Sequence, residues 1–293
     1  MHPKNLGPHL LLCKMKLHFV SALLAVGALA ETPDAKALYE RTQYQGSLQA
    51  LQASPHSDAA SLQLMGQDLF MLGEYKKASD AFEKAAALDP NNAKLLHWLG
   101  RAYGRRAETS SPFSAPGLAS KARQMFEKSV ALDPTDKDAL GDLLDYYLDA
   151  PGFLGGGLNK AEALAQMILK EDQAEGHYAQ GLVAEKRREF DTAEAQFRRA
   201  AELAPRQVGR ILVLARYLAN HGNLKESDAL FEKAARMAPN DPRVMFDRAS
   251  TYMNQKRNPE ESRDLLERYL QAPLTPDDPP RERAEALLKK LGV

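Results

Sequence analysis

Apolar residues along this chain recur at the spacing of one helix face. Leu62, Met65 and Leu69 stand three and four residues apart, and Ala81, Phe82, Ala85 and Leu88 repeat the pattern. That is the period of an amphipathic helix, not the strict alternation of a strand. Pro90, Pro134, Pro205 and Pro239 punctuate the helical stretches. Proline cannot continue a helix and disfavours helix in the residue before it. The pattern predicts an all-α chain of short paired helices separated by proline-bearing turns.

The pattern also repeats. Gly66 recurs as Gly100, Phe197 as Phe231, Ala200 as Ala234 and Pro205 as Pro239, each 34 residues on. Between Ala59 and Asn92 the order is Gly66, Gly73-Glu74-Tyr75, Ala78, Phe82, Ala85 and Leu88-Asp89-Pro90. Between Ala174 and Gln207 it is Gly181, Phe190, Ala193, Phe197, Ala200 and Pro205. Small residues such as Gly66 and Ala78 let two helices approach, and Phe82 and Phe197 fill the space between hairpins. Period and order resemble the tetratricopeptide repeat. The resemblance implies a right-handed α-solenoid of antiparallel helix hairpins, whose first helices line a concave groove for a protein or peptide partner. Family members that hold chaperone tails clamp a terminal carboxylate with lysine and asparagine. Gln63 and Gln67 stand at the corresponding places here, which does not match that clamp.

Units are expected near residues 35–56 (partial), 59–92, 93–136, 137–173, 174–207, 208–241 and 242–274. A C-terminal capping helix is expected within 279–293, where Leu287, Leu288 and Leu291 share one side. Terminal units of an array need such a cap.

Residues 1–30 differ from the rest. Lys14 and Lys16 precede an apolar run from Leu17 to Ala30 that ends Ala28-Leu29-Ala30, and Glu31-Thr32-Pro33-Asp34 then turns polar. A charged start, a short apolar middle and an A-x-A end predict a secretory signal peptide, starting at Met1 or Met15. The mature protein is then expected to be exported, periplasmic or secreted, and to span residues 31–293. The apolar run is shorter than the about 20 residues a bilayer takes, so no membrane span is expected in the mature chain. Cys13 is the only cysteine, so the mature fold is expected to rest on packing and not on disulfides.

Composition narrows the function classes. Lys plus Arg and Asp plus Glu number 39 each, with no basic tail, so nucleic acid is not an expected partner. The mature-chain histidines His56, His97, His177 and His221 are scattered, and no H-E-x-x-H pair exists; no metal or cofactor is expected. The glycines from Gly152 to Gly157 lack the G-K-[ST] of a phosphate loop, since Lys160 is followed by Ala161. No set of nucleophile, base and orienting group is recognisable, so no enzyme is expected. The expected role is a non-catalytic scaffold or adaptor. The alternatives are an accessory subunit of an envelope assembly or secretion complex, and an enzyme with an unrecognised site.

Two features mark candidate contact residues. Lys94, His97, Arg101 and Arg105 lie along one face of the second unit's first helix, and Asp138, Asp145 and Asp149 along the third unit's. The offsets from Lys94, Arg101 and Arg105 to the three aspartates are each 44 residues. Arg101–Asp145 and Arg105–Asp149 are therefore expected to face one another, as an inter-repeat ladder or a two-signed patch. Second, Gly66 to Gly100 is 34 residues but Phe82 to Phe126 is 44. Ten extra residues are thus expected as a loop in the second unit's turn, around Phe113. A further insertion in the third unit carries Phe153 and Leu154. Insertions commonly mark a binding face.

Overall fold

The computed structural model describes residues 34–53, 57–275, 278–279 and 281–292. The leader-like residues 1–30, Cys13 included, lie outside the described residues, as does His56. Fifteen α-helices and no strand occur among the described residues. They pair as hairpins: α1 (Ala35–Glu40) with α2 (Tyr44–Ala53), α3 (Ala59–Met71) with α4 (Tyr75–Leu88), and α5 (Ala93–Thr109) with α6 (Ala115–Leu132). Next come α7 (Lys137–Asp149) with α8 (Leu158–Glu171), α9 (Gln173–Lys186) with α10 (Phe190–Leu203), α11 (Val208–Asn220) with α12 (Leu224–Met237), and α13 (Pro242–Asn254) with α14 (Pro259–Gln271). Each hairpin packs on the next, and α15 (Arg281–Lys290) closes the last, burying Ala284 and Leu288. The array is a right-handed α-solenoid.

The proline turns do two jobs. Proline stops one helix, and after Pro90, Pro134 and Pro239 an Asn or Asp two residues later caps the next, while Gln207 after Pro205 makes no such bond. Asn92 accepts from the Leu95 N–H at 3.1 Å, and Asp136 accepts from Asp138 and Ala139. Asp241 accepts from Arg243 at 2.9 Å. Each cap satisfies an amide that the helix itself leaves open, which stabilises it by about 1 kcal/mol.

Inside the hairpins the glycines decide the spacing. A β-carbon on Gly66 would stand 2.5 Å from the ring of Phe82, one on Gly100 2.6 Å from Phe126, and one on Gly181 2.5 Å from Phe197. The phenylalanine of each second helix therefore lies flat on the bare backbone of the first. The same rings reach the next hairpin: Phe82 stacks on Trp98 at 6.1 Å and Phe197 meets Tyr217 at 5.1 Å. In two hairpins the combination differs, Leu144 with Ala165 and Ala249 with Leu266, whereas Ala215 of α11 meets a full phenylalanine, Phe231 of α12; all six are buried.

The α5–α6 hairpin departs from the expected loop. Helix α5 has 17 residues against 13 in α3, and α6 has 18 against 14 in α4. Only residues 110–114 remain between them, two more than the turn at 72–74. The ten extra residues mostly lengthen helices. Pro116 stands in the first turn of α6, where a missing N–H breaks no helical bond, so it starts the helix instead of marking a loop. The α7–α8 hairpin does contain a loop, residues 150–157, with a 3-10 turn at Gly152–Leu154. Gly155 and Gly157 take φ values of 88° and 141° there, which side chains with a β-carbon avoid. Between α8 and α9 a single residue, Asp172, ends one helix and caps the next.

One buried acid stands under the first hairpin. Asp68 of α3 is fully buried, accepts a hydrogen bond from the Ser47 hydroxyl of α2 at 2.7 Å, and leaves its other oxygen without a partner. Burial pushes its carboxyl up to about 7, opposed by the Ser47 bond.

Two expectations follow from this packing. Gly181→Ala should destabilise the array by about 1–3 kcal/mol through overpacking, and Phe197→Leu in the same chain should recover most of that, copying Ala249 over Leu266. Urea unfolding of both single variants and the double variant measures the coupling; additive losses would contradict the volume trade. For Asp68, the folded state binds the extra proton between 3.8 and about 7. Its stabilising effect is full below about 4 and is lost as pH rises through 7. Protection of the α2 amides against hydrogen exchange, corrected for intrinsic rate, should fall from pH 5 to 8, and Asp68→Asn should flatten that dependence.

Candidate functional site

The first helices α3, α5 and α7 bring aromatic and charged side chains into one cleft of about 340 Å³. Its apolar wall is Phe70, Phe126 and Tyr146. Arg101 lies over two rings, 4.6 Å from the centroid of Trp98 and 5.4 Å from that of Phe70. Arg105 stacks on Tyr75 at 5.1 Å, hydrogen-bonds its hydroxyl at 3.3 Å and pairs with Glu108. The stacking holds both guanidinium groups against the wall of the cleft and leaves less of their charge to solvate.

The expected Arg101–Asp145 and Arg105–Asp149 pairs are not formed. Asp142, absent from the sequence-based set, takes their place. Its carboxylate accepts from or pairs with His97 Nε2 at 2.7 Å and lies 3.7 Å from Arg101 Nε. Side chains tilt toward the N-terminus of their own helix, so a long arginine meets the carboxylate one turn before its equivalent position. His97 is not a surface charge either, being only 5% exposed. Asp149 also lines the cleft, but its partner is Lys186 of α9 at 2.8 Å. Lys94 and Asp138 are exposed in the first turns of α5 and α7.

The ladder is nonetheless real and longer than the sequence offsets suggested. Arg101–Asp142 links α5 to α7, Asp149–Lys186 links α7 to α9, Glu175–Arg210 links α9 to α11, and Asp247–Arg216 links α11 to α13. Most of these partners are partly exposed, and such a pair stabilises by about 0–1 kcal/mol. Asp145 is left over. Its carboxyl opens onto the cleft, desolvation by the surrounding walls pushes it up to about 6, and the neighbouring Asp142 and Asp149 push in the same direction. The cleft thus carries acid on its α7 side and stacked arginine on its α5 side.

Two of the three expected apolar anchors stand in water: Phe113 at the tip of the α5–α6 hairpin is 97% exposed and Phe153 in the α7–α8 hairpin is 83% exposed. Leu154 is half-buried, and its carbonyl accepts the Tyr146 hydroxyl at 2.9 Å. That bond ties the 150–157 loop to the tyrosine that also walls the cleft. Among the described residues no group of His, Cys, Asp and Glu is arranged to hold a metal, and no helix is long and apolar enough to cross a membrane.

Residues 66–106 match the TPR repeat family and residues 212–279 match the Tetratricopeptide repeat family. A tetratricopeptide repeat protein from Parabacteroides merdae superposes with a TM-score of 0.58 at 15% identity, over 88% of this chain and 96% of that one. A thermophilic TPR protein from Thermus thermophilus superposes with a TM-score of 0.50 at 21% identity, over 63% of this chain and 95% of that one. No curated protein sequence matches the chain. The two likenesses carry the fold. Together with these likenesses, the matched segments show that the chain carries tetratricopeptide repeats at residues 66–106 and 212–279, within an array that has the fold of tetratricopeptide-repeat proteins.

Proposed function

We propose that this protein is a non-catalytic scaffold that holds a partner protein on two surfaces, the cleft between α3, α5 and α7 and the edge that carries Phe113 and Phe153. Tetratricopeptide repeats generally mediate contacts between proteins. The observation that carries the finer reading is the exposure of the two phenylalanines. A phenylalanine has no polar tip to satisfy in water, and aromatic side chains anchor many interfaces. Neither ring plugs its own hairpin end, which would have been the structural use for it. The cleft adds direction: stacked arginines on one wall and three carboxylates on the other suit a polar segment bound in one orientation. The leader pattern of residues 14–30 supports export, which places that partner outside the cytoplasm.

Phe113→Ser together with Phe153→Ser should leave the unfolding free energy from urea titration within about 0.5 kcal/mol of the parent, as surface changes do. Partner recovered after crosslinking in envelope extract should fall at least about tenfold. Undiminished recovery would remove the edge from the proposal. Export is checked separately by the intact mass of the native protein, expected to begin at Glu31; a full-length product in the cytosol would contradict it.

A further inference from the structure

The two ends of the array touch. The Tyr44 hydroxyl at the start of α2 donates to the carbonyl of Leu274, 230 residues away, at 2.8 Å. Leu274 is 4% exposed and packs into the C-terminal core with Phe246, Leu266 and Tyr269. The opposite side is equally built. Thr42, Phe70, Leu72 and Tyr75 from the first two hairpins share one cleft of about 180 Å³ with Leu274 and Glu282. The Glu282 carboxylate reaches over the α3–α4 turn, 3.7 Å from where a β-carbon on Gly73 would stand. The C-terminal half of the contact is held from behind: Arg281 donates to the carbonyls of Leu270 and Ala272, and Tyr269 to that of Pro279.

Contacts this far apart in sequence would normally demand the ordering of a long loop. In a solenoid the small rotation from each repeat to the next fixes where the ends arrive. Seven hairpins bring Tyr44 to Leu274 without any flexible segment having to search for it. Among the described residues the contact includes the Tyr44–Leu274 hydrogen bond, a small aromatic-walled cleft and the charge of Glu282 acting on Arg105, between two parts that each have their own core. Pro279, on the C-terminal side, also walls clefts formed by the first helices α11 and α13, beside Arg216 and Asp247. The junction therefore borders the inner face of the array.

We propose that Tyr44, Leu274 and their neighbours form a releasable seam that closes the array end to end, and that release of the seam opens the inner face. The seam itself stands without any partner. Its effect on access deepens the reading of the inner cleft as a binding surface.

The test uses the full chain with Cys13→Ser, so that introduced thiols are the only ones. Spin labels at Lys76→Cys and Glu285→Cys, both exposed, report the end-to-end distance, and a second pair at Lys76→Cys and Lys128→Cys reports a distance within the array. One narrow end-to-end population is expected. Tyr44→Phe, which removes only the hydroxyl, should raise the ratio of open to closed molecules about fivefold, the factor that one lost hydrogen bond carries. The internal pair should not move. An unchanged end-to-end distribution overturns the seam, and broadening of both pairs overturns it too, because the hydroxyl would then support the array as a whole. Access is read from Ser250→Cys, which lines an inner cleft with Pro279, by its rate of modification with a polyethylene glycol maleimide. The rate should rise by the same factor in Tyr44→Phe. A rate that stays fixed while the ends separate would overturn the gating and leave the seam standing.

Discussion

Everything in this protein depends on how closely two helices of a hairpin approach, and a ring lying on a bare backbone sets that distance. Phe82 on Gly66, Phe126 on Gly100 and Phe197 on Gly181 are the same contact made three times. In two other hairpins one partner grows while the other shrinks, Leu144 with Ala165 and Ala249 with Leu266, and in a third Ala215 meets an undiminished Phe231. A close-packed interior tolerates such exchanges when total volume is kept. The angle between hairpins, the line of first helices and the meeting of the two ends all inherit their geometry from that spacing.

The charges act on a second level. A ladder of ion pairs from α5 to α13 runs beside the stacked arginines. None of these pairs is individually strong, but each fixes the stagger of one first helix against the next. Asp145 is the exception, an acid with carboxylates on both sides and no cation within the ladder to answer it. Asp68 is another acid raised by its surroundings, but it is sealed beneath α2 with a serine hydroxyl as its partner. The first faces the cleft, and the second holds a terminal hairpin.

The hairpins and their cap were legible because glycine, phenylalanine and proline each have one mechanical role at a fixed distance from the others. The site was legible only in part. Equal offsets correctly placed Arg101 and Asp145 on equivalent positions of neighbouring helices, but equivalence is not contact. The tilt of side chains along a helix moved the arginine to Asp142. Asp68 left no signal, since its burial depends on a short first hairpin whose docking no local pattern reveals. In the second unit the ten-residue surplus predicts a loop around Phe113, but extra residues can equally extend helices, and here Pro116 and Gly117 stand in the first turn of α6. The Tyr44–Leu274 contact has no sequence signature at all, because it is produced by rotation summed over every repeat between them.

The lengthened α5–α6 hairpin has a consequence of its own. Four more residues in each helix raise its tip by about 6 Å, at 1.5 Å per residue, and Phe113 sits on that tip. An array of near-identical units is almost periodic, and a ligand that recognises one unit could equally settle one unit further along. A single tall tooth removes that translational degeneracy. It gives the edge an origin from which position can be counted, so that a rigid partner spanning several repeats has one register in which it fits.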